Sequence, residues 1–153
     1  MRIIVTSDVH RRTGILLDII ERHYETTDLF INLGDSENEV DEALMVYPKL
    51  KIERVAGNCD WYSTLPASKI INARGKKIFI SHGHQQYVKH GYQMIEEKAK
   101  ELGADICLFG HTHTPYVEHK DGIYYMNPGA VCNSVYGIID IEPSGIIMYN
   151  QTI

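Results

Sequence analysis

Side chains that bind metal ions follow five separate apolar segments of this chain, each just past the end of its segment. The segments are short runs rich in Ile, Leu, Val and Phe. The polar side chains that follow them include Asp8, His10, Asp35, Asn58, His82, His111 and His113. In open α/β sheets the carboxyl ends of the strands line one edge, where ligands bind, so side chains distant in the sequence are expected to converge there.

The types and spacing of these side chains indicate a catalytic metal site. Asp8 and His10 are two residues apart, as are His111 and His113, which places both members of each pair on one side of an extended segment. Oxygen and imidazole ligands suit Mn²⁺, Fe or Zn²⁺ better than a structural zinc centre, which is richer in cysteine. Seven ligands exceed the needs of one ion, so two ions that share a carboxylate are expected, as in two-metal hydrolases.

The segments that must position these side chains alternate between predicted strands and helices. Strands are predicted at 3–5, 29–33, 52–55, 76–80 and 106–109, and two hairpins at 116–126 and 135–149. Helices are predicted after Thr13 as N-cap, after a Ser36–Glu39 capping box, and over 92–102. Two sheets packed face to face with helices outside would bury all of these elements in a single domain, residues 1–153.

Composition narrows the class of protein. The chain of 153 residues has a net charge of −5 with interspersed signs, which makes nucleic acid an unlikely partner without excluding a phosphorylated small molecule. No apolar run is long enough for a membrane span or a secretory signal, so no membrane partner is expected. Three cysteines without a C-x-x-C motif favour a reducing, cytoplasmic location.

Five short motifs occur in an order that resembles the calcineurin-like metallophosphoesterases. They are Asp8-Val9-His10, Gly34-Asp35, Gly57-Asn58-Cys59-Asp60, His82-Gly83-His84 and Gly110-His111-Thr112-His113. The short length and the Gly-Asn-Cys-Asp motif are similar to the compact bacterial and archaeal phosphodiesterase branch, to which the retromer scaffold subunit is related. Asn127-Pro128-Gly129-Ala130 also resembles a turn of that branch.

The resemblance implies a fold and a set of ligands. The fold is α/β, a four-layer αββα arrangement in which two packed mixed sheets, a β-sandwich, are flanked by helices. One divalent ion would be held by Asp8, His10 and His113, the other by Asn58, His82 and His111, with Asp35 bridging them. Mn²⁺ is favoured as the metal, with Ni²⁺, Zn²⁺, Fe and Mg²⁺ as alternatives.

The implied activity is hydrolysis of phosphate esters, with phosphodiesters favoured over monoesters. A water or hydroxide that bridges the ions would attack phosphorus in line. The residues assigned to catalysis are Asp35, Asn58 and His111, and His84 is a further candidate for binding phosphate or assisting protonation.

The chain departs from many larger family members at Cys59, where they carry a histidine thought to protonate the leaving alkoxide. A thiol is a poor replacement for imidazolium as a general acid, so esters with good leaving groups are expected to be preferred. Asn58, Cys59 and Asp60 are predicted to lie on the substrate side. Arg11 is predicted to contact the substrate phosphate or to lie in solvent.

Two other functions stay open at this point. One is a protein-binding scaffold of the same fold with weak or no activity, which the absence of a histidine at position 59 keeps in consideration. The other is a mononuclear zinc hydrolase, which would leave Asp35 and Asn58 unexplained. The physiological substrate and the oligomeric state are also open, with a homodimer among the options.

Overall fold

The computed structural model describes residues 1–153 and contains ten strands and three α-helices. The strands are β1 (Arg2–Thr6), β2 (Leu29–Asn32), β3 (Ile52–Arg54), β4 (Ser68–Ala73), β5 (Lys76–Ser81), β6 (Ile106–Phe109), β7 (Tyr116–Lys120), β8 (Ile123–Asn127), β9 (Val135–Glu142) and β10 (Gly145–Thr152). The helices are α1 (Thr13–His23), α2 (Glu37–Val46) and α3 (Gln93–Glu101). None of the helices combines the length and the apolar character that crossing a bilayer requires.

The strands form two five-stranded mixed sheets. The first has the order β10-β9-β1-β2-β3 and the second has the order β4-β5-β6-β8-β7. Strands β1, β2 and β3 are parallel to one another, as are β5, β6 and β8, while the remaining pairs are antiparallel. The parallel strands of each sheet therefore deliver their following loops to one edge of that sheet.

The layers follow from the apolar character of both faces of the central strands. Ile3 and Val5 of β1 lie in the core between the two sheets, whereas Ile4 lies in the core that α1 and α2 cover. On the second sheet, Phe79 packs in a third core beneath α3. Because successive side chains of a strand point to opposite faces, burial on both faces explains the uninterrupted apolar runs. The predicted α/β fold of two packed mixed sheets flanked by helices is confirmed.

Three local features differ from the sequence-based expectation. Strand β4 (Ser68–Ala73) is not predicted, because its polar and half-exposed residues at a sheet edge give no clear apolar pattern. The side chain of Ser36 does not cap α2, since its hydroxyl donates to the carbonyl of Gly34. Helix α1 begins at Thr13 itself, so Arg12 occupies the N-cap position predicted for Thr13, and its side chain makes no capping hydrogen bond.

Replacement of a residue between the sheets tests the packing. Ile139 of β9 is 0% exposed in this core, so Ile139→Ala is expected to lower the free energy of unfolding by about 2–5 kcal/mol. Ile147→Ala on the adjacent strand is the matched control, because that side chain is 55% exposed. Urea titrations of both variants measure the difference, and equal losses would contradict the described layering.

Candidate metal centre

The loops that carry the predicted ligands meet at one end of the sandwich. In the first sheet they follow β1, β2 and β3, and in the second sheet they follow β5 and β6. The structure brings together the donor atoms of all seven side chains, namely Asp8, His10, Asp35, Asn58, His82, His111 and His113.

Asp8, His10 and His113 form a first group of donors. Nε2 of His113 lies 3.1 Å from Oδ1 of Asp8 and 3.2 Å from Nε2 of His10. Nε2 of His10 lies 3.6 Å from the same oxygen of Asp8. Ligands bound to one ion at about 2.0–2.2 Å have separations of this size, so the three atoms suit a shared cation.

Asn58, His82 and His111 form a second group. Nε2 of His82 lies 3.1 Å from Nδ1 of His111 and 3.1 Å from Oδ1 of Asn58. On the other side of its ring, Nδ1–H of His82 donates a hydrogen bond of 2.7 Å to the carbonyl of Leu33. This bond orients the buried ring and directs Nε2 toward the group, as supporting hydrogen bonds do for metal-binding histidines.

Asp35 lies between the two groups. Its Oδ2 is 3.4 Å from Nε2 of His82 and 3.8 Å from Nε2 of His10. Its Oδ1 accepts a hydrogen bond of 2.7 Å from the backbone N–H of Cys59. One oxygen is thus held by the protein, while the other is within reach of both groups.

The donor groups fit cations, because one buried carboxylate oxygen among them has no hydrogen-bond partner. Oδ2 of Asp8 accepts hydrogen bonds from the hydroxyl of Ser7 and the backbone N–H of His111, but the buried Oδ1 accepts none. A buried carboxylate oxygen without a partner is costly, and a cation between the imidazole and carboxylate atoms would satisfy it. The residues present therefore fit a pair of divalent ions.

The pKa values of three of these side chains reflect their mutual contacts. Burial raises the pKa of Asp35, but His82 and the N–H of Cys59 outweigh burial and hold this pKa below its ordinary value. Burial lowers the pKa of His82, but Asp35 and Asp8 reverse the effect, so the net shift is upward. Burial and then His82 lower the pKa of His111 to about 4. Near neutrality Asp35 is ionised and His111 is neutral, the states that bind metal.

Most of the candidate ligands have an unusual backbone conformation. Asp8, His10, Asp35, His111 and His113 all have positive φ, between 43° and 68°. Left-handed conformations of non-glycine residues cost on the order of 1–3 kcal/mol each and are found at functional sites. Backbone hydrogen bonds between neighbouring loops hold Asp8 and His10 in this conformation. The N–H of Asp8 donates to the carbonyl of Gly34, and the N–H of His10 donates to the carbonyl of Asp35.

Two glycines permit the loops to approach closely. A Cβ on Gly57 would lie 2.1 Å from Oδ1 of Asp35, and a Cβ on Gly110 would lie 2.0 Å from the hydroxyl oxygen of Ser7. Real Cβ atoms do not make such contacts, so any other residue would displace the side chains that carry or support the donors.

Asp60 connects two of the site loops through its carboxylate. Oδ2 accepts hydrogen bonds of 2.7 Å from the N–H groups of Asp35 and Gly57, and Oδ1 accepts bonds of 2.9 Å from those of Ser36 and Glu37. The last two lie at the amino end of α2, so Asp60 takes the capping role predicted for Ser36. The sequence predicts Asp60 as a substrate contact, and this stays a prediction. Both of its oxygens accept hydrogen bonds from backbone N–H groups, so it also positions the loops that meet here.

A pocket of about 480 Å³ opens beside the donor groups. His10, Asp35, Cys59 and Asp60 line it on the side of the metal centre, and Arg11 lines it together with the amino end of α2. Partial desolvation of the sulfur and the neighbouring Asp35 carboxylate raise the pKa of the Cys59 thiol to about 11. Trp61, which the sequence gave no reason to select, lines the same pocket and is 79% exposed.

His84 lies beside the second donor group. Its ring centroid is 5.4 Å from that of His82 and 6.1 Å from that of His111. Burial and then the charge of His82 lower its pKa, which favours the neutral ring. Its Nδ1 is buried without a hydrogen-bond partner.

Two supporting residues were not identified from the sequence as part of the site. Ser7 donates a hydrogen bond of 2.6 Å to Asp8. Asn127 is buried and donates to the carbonyl of Gly110 at 2.8 Å and to the hydroxyl of Thr112 at 3.0 Å, which fixes the loop that carries His111 and His113. The Asn-Pro-Gly turn was the available signal for Asn127, whereas nothing in the sequence distinguished Ser7.

Comparisons with known proteins show which family the chain resembles. The calcineurin-like phosphoesterase superfamily domain matches residues 1–143. The probable metallophosphoesterase YsnB of Bacillus subtilis is 35% identical over 132 residues, which are 86% of this chain and 75% of that protein.

Solved structures show likeness of fold. Vps29 of Entamoeba histolytica, determined in complex with Zn²⁺, superposes with a TM-score of 0.83 at 22% identity, over 99% of this chain and 92% of that one. A novel archaeal phosphodiesterase superposes with a TM-score of 0.76 at 23% identity, over 99% of this chain and 100% of that one.

The positioning role of Asp60 can be tested with an isosteric change. Asp60→Asn removes the charge and turns an amide NH₂ toward backbone donors, so we expect a loss of about 1.5–3 kcal/mol in the free energy of unfolding. Metal affinity should fall by about 10- to 100-fold, as for other supporting residues of metal sites. Denaturant titration and isothermal calorimetry measure the two effects.

The matched control is Asp41→Asn, which removes a half-exposed carboxylate paired with Arg54 on the surface. Its effect on stability should stay below about 1 kcal/mol, and metal affinity should not change. Unaltered metal affinity in Asp60→Asn would refute the positioning role.

Proposed function

The chain belongs to the calcineurin-like phosphoesterase superfamily, and we propose that it hydrolyses phosphodiesters with the help of two divalent ions. The observation that carries the proposal is the arrangement of seven donors in two groups, with one oxygen of Asp35 within 3.8 Å of a histidine nitrogen in each group. A mononuclear site would leave one group without a function.

The residues assigned to each ion follow from these groups. Asp8, His10 and His113 would hold one ion, Asn58, His82 and His111 would hold the other, and Asp35 would contact both. Bound there, two divalent ions would activate water for attack on phosphorus and neutralise charge on the phosphoryl oxygens.

The residues around the donors would orient the substrate. The side-chain NH₂ of Asn58 lies 3.3 Å from the sulfur of Cys59, which lines the pocket, and from there it would donate to a phosphoryl oxygen. The guanidinium of Arg11, which also lines the pocket, would pair with the phosphate. His84, as a neutral ring, would donate a hydrogen bond to the phosphate, whereas only its protonated form would assist protonation of the leaving group.

The charge of the pocket supports diesters over monoesters. Arg11 is the one basic side chain other than histidine in its lining, which also includes Glu37, Glu39 and Asp60. Acidic side chains repel a dianionic monoester more strongly than a monoanionic diester. The pocket is also wide enough to take an organic group attached to the phosphate.

A protein-binding scaffold is the alternative function. The likeness of the fold to Vps29 is one reason to consider a scaffold, and the thiol at position 59 is consistent with weak turnover. All seven donors are retained here, which favours the enzyme. Manganese as the metal, a cytoplasmic location and a single domain over residues 1–153 remain predictions, and the oligomeric state is open.

The central test is hydrolysis of bis(p-nitrophenyl) phosphate by metal-stripped protein after addition of Mn²⁺, Ni²⁺, Zn²⁺ or Mg²⁺. We expect activity with at least one ion, highest with Mn²⁺. Asp35→Asn and His111→Ala should each lose activity by more than about 100-fold together with bound metal, because changes to outer-shell partners alone cost 10- to 100-fold.

His119→Ala is the control, since His119 stacks on Tyr124 in the hairpin and contacts none of the donors. It should retain activity and metal content. Absence of turnover with every ion would favour the scaffold, and full activity in Asp35→Asn would exclude the proposed centre.

The thiol at position 59 predicts a steep dependence on the leaving group. With a pKa of about 11 it is a weak proton donor, so aryl diesters should be hydrolysed much faster than alkyl diesters. Cys59→His should raise turnover of alkyl diesters relative to aryl ones, by up to about 100-fold if imidazolium acts as the acid. The ratio of kcat/KM values in the two variants measures the effect, and an unchanged ratio would remove this explanation.

A further inference from the structure

Cys59 lies within reach of the first donor group, although sequence reasoning assigned it to the substrate side. Its sulfur, a ring nitrogen of His10 and a carboxylate oxygen of Asp35 all lie within 4.8 Å of one another. The N–H of Cys59 donates to Oδ1 of Asp35, and the side-chain NH₂ of Asn58 donates to the sulfur at 3.3 Å. The thiol is therefore held at the edge of the proposed metal centre.

The sulfur of Cys59 and the ring nitrogen of His10 could bind one ion after a small movement of their side chains. Zinc binds sulfur at about 2.3 Å and imidazole nitrogen at about 2.0–2.1 Å, so two such ligands of one ion lie at most about 4.4 Å apart. The buried Oδ1 of Asp8, which accepts no hydrogen bond, lies 3.6 Å from Nε2 of the same His10. The sulfur of Cys59, the nitrogen of His10 and the oxygen of Asp35 thus form one group of close donors, which shares His10 with the group of Asp8 and His113.

We propose that Cys59 is a conditional ligand, which thiophilic ions such as Zn²⁺ and Cd²⁺ recruit and which Mn²⁺ and Mg²⁺ leave free. The inference rests on the metal centre of the proposed function. Thiolates select soft and borderline ions, whereas hard ions prefer oxygen. On binding, the S–H bond breaks, its proton passes to solvent, and a bond forms between sulfur and the metal.

Recruitment of the sulfur would affect catalysis through the pocket. Cys59 lines the pocket next to Asp60 and Trp61, so a metal-bound sulfur would occupy space and a coordination position that the substrate needs. Zn²⁺ and Cd²⁺ are then inhibitory when added to the Mn²⁺-loaded protein. The thiol makes the centre discriminate between classes of metal ion.

The other two cysteines provide internal controls. Cys107 is buried in β6 beneath α3, and Cys132 is partly exposed, with its sulfur 3.9 Å from Oδ1 of Asn133. Neither belongs to a group of potential metal donors.

The direct test is the ultraviolet charge-transfer absorption of a cadmium–thiolate bond, recorded while Cd²⁺ is added to the metal-stripped full chain. Wild type and Cys132→Ser are expected to show the band, and Cys59→Ser is expected to lose it and to bind Cd²⁺ about 10- to 100-fold more weakly. Absence of the band in wild type, or its persistence in Cys59→Ser, would overturn the proposal. The readout does not require activity, so it separates this inference from the proposed phosphodiesterase function.

A second measurement uses the wild-type protein, so its result does not depend on whether the Cys59→Ser variant folds. Alkylation of Cys59 by iodoacetamide, followed by mass spectrometry, should be suppressed by Cd²⁺ or Zn²⁺ and not by Mn²⁺, with Cys132 as the internal reference. Equal alkylation of Cys59 in the presence of Cd²⁺ and Mn²⁺ would exclude the ligand role. Zn²⁺ should also inhibit wild type more than Cys59→Ser, each relative to its own activity with Mn²⁺.

Discussion

The carboxylate of Asp8 is fully buried, and only one of its two oxygens accepts hydrogen bonds from the protein. The other oxygen faces the imidazole nitrogens of His10 and His113 at 3.6 and 3.1 Å. A buried carboxylate held in this way requires a cation nearby, and the fold supplies histidines that can share one. The remaining features of the site, from the position of Asp35 to the tautomer of His82, are consistent with this requirement.

The backbone around the donors is strained, and the sandwich makes the strain tolerable. Five of the seven donor residues have left-handed φ values, a conformation that a flexible loop would relax. Here each loop is anchored by a buried strand on at least one side, and backbone bonds connect the loops after β1 and β2. The carboxylate of Asp60 adds a connection between the loops after β2 and β3. This anchoring, which outweighs the strain, keeps the donors oriented before any ion arrives.

The same architecture accommodates enzymes and scaffolds, so the fold by itself does not decide the function. The decision rests on the donors and on the charge of the adjoining pocket, which are properties of individual side chains. Cys59 is central to both, because it borders the pocket and also lies near His10 and Asp35. In the proposed function a thiol at this position would weaken acid catalysis and add affinity for soft metals, so one residue would shape both leaving-group preference and metal preference.

The sequence by itself determined the family, the order of most strands and helices, and the seven candidate ligands. These features depend on local patterns: apolar runs that must be buried, and metal-binding side chains immediately after them. Only the tertiary structure revealed the edge strand β4, the capping of α2 by Asp60, the support of Asp8 by Ser7, and the pocket beside Trp61. Three of these depend on contacts between segments far apart in the chain or on half-exposed residues, and the bond between the neighbours Ser7 and Asp8 depends on the local backbone conformation. None of them leaves a periodic signal in the sequence. Which residues are buried can be predicted from the local run of apolar residues. Which group a polar side chain bonds to depends on how the two sheets pack, and local sequence does not reveal it.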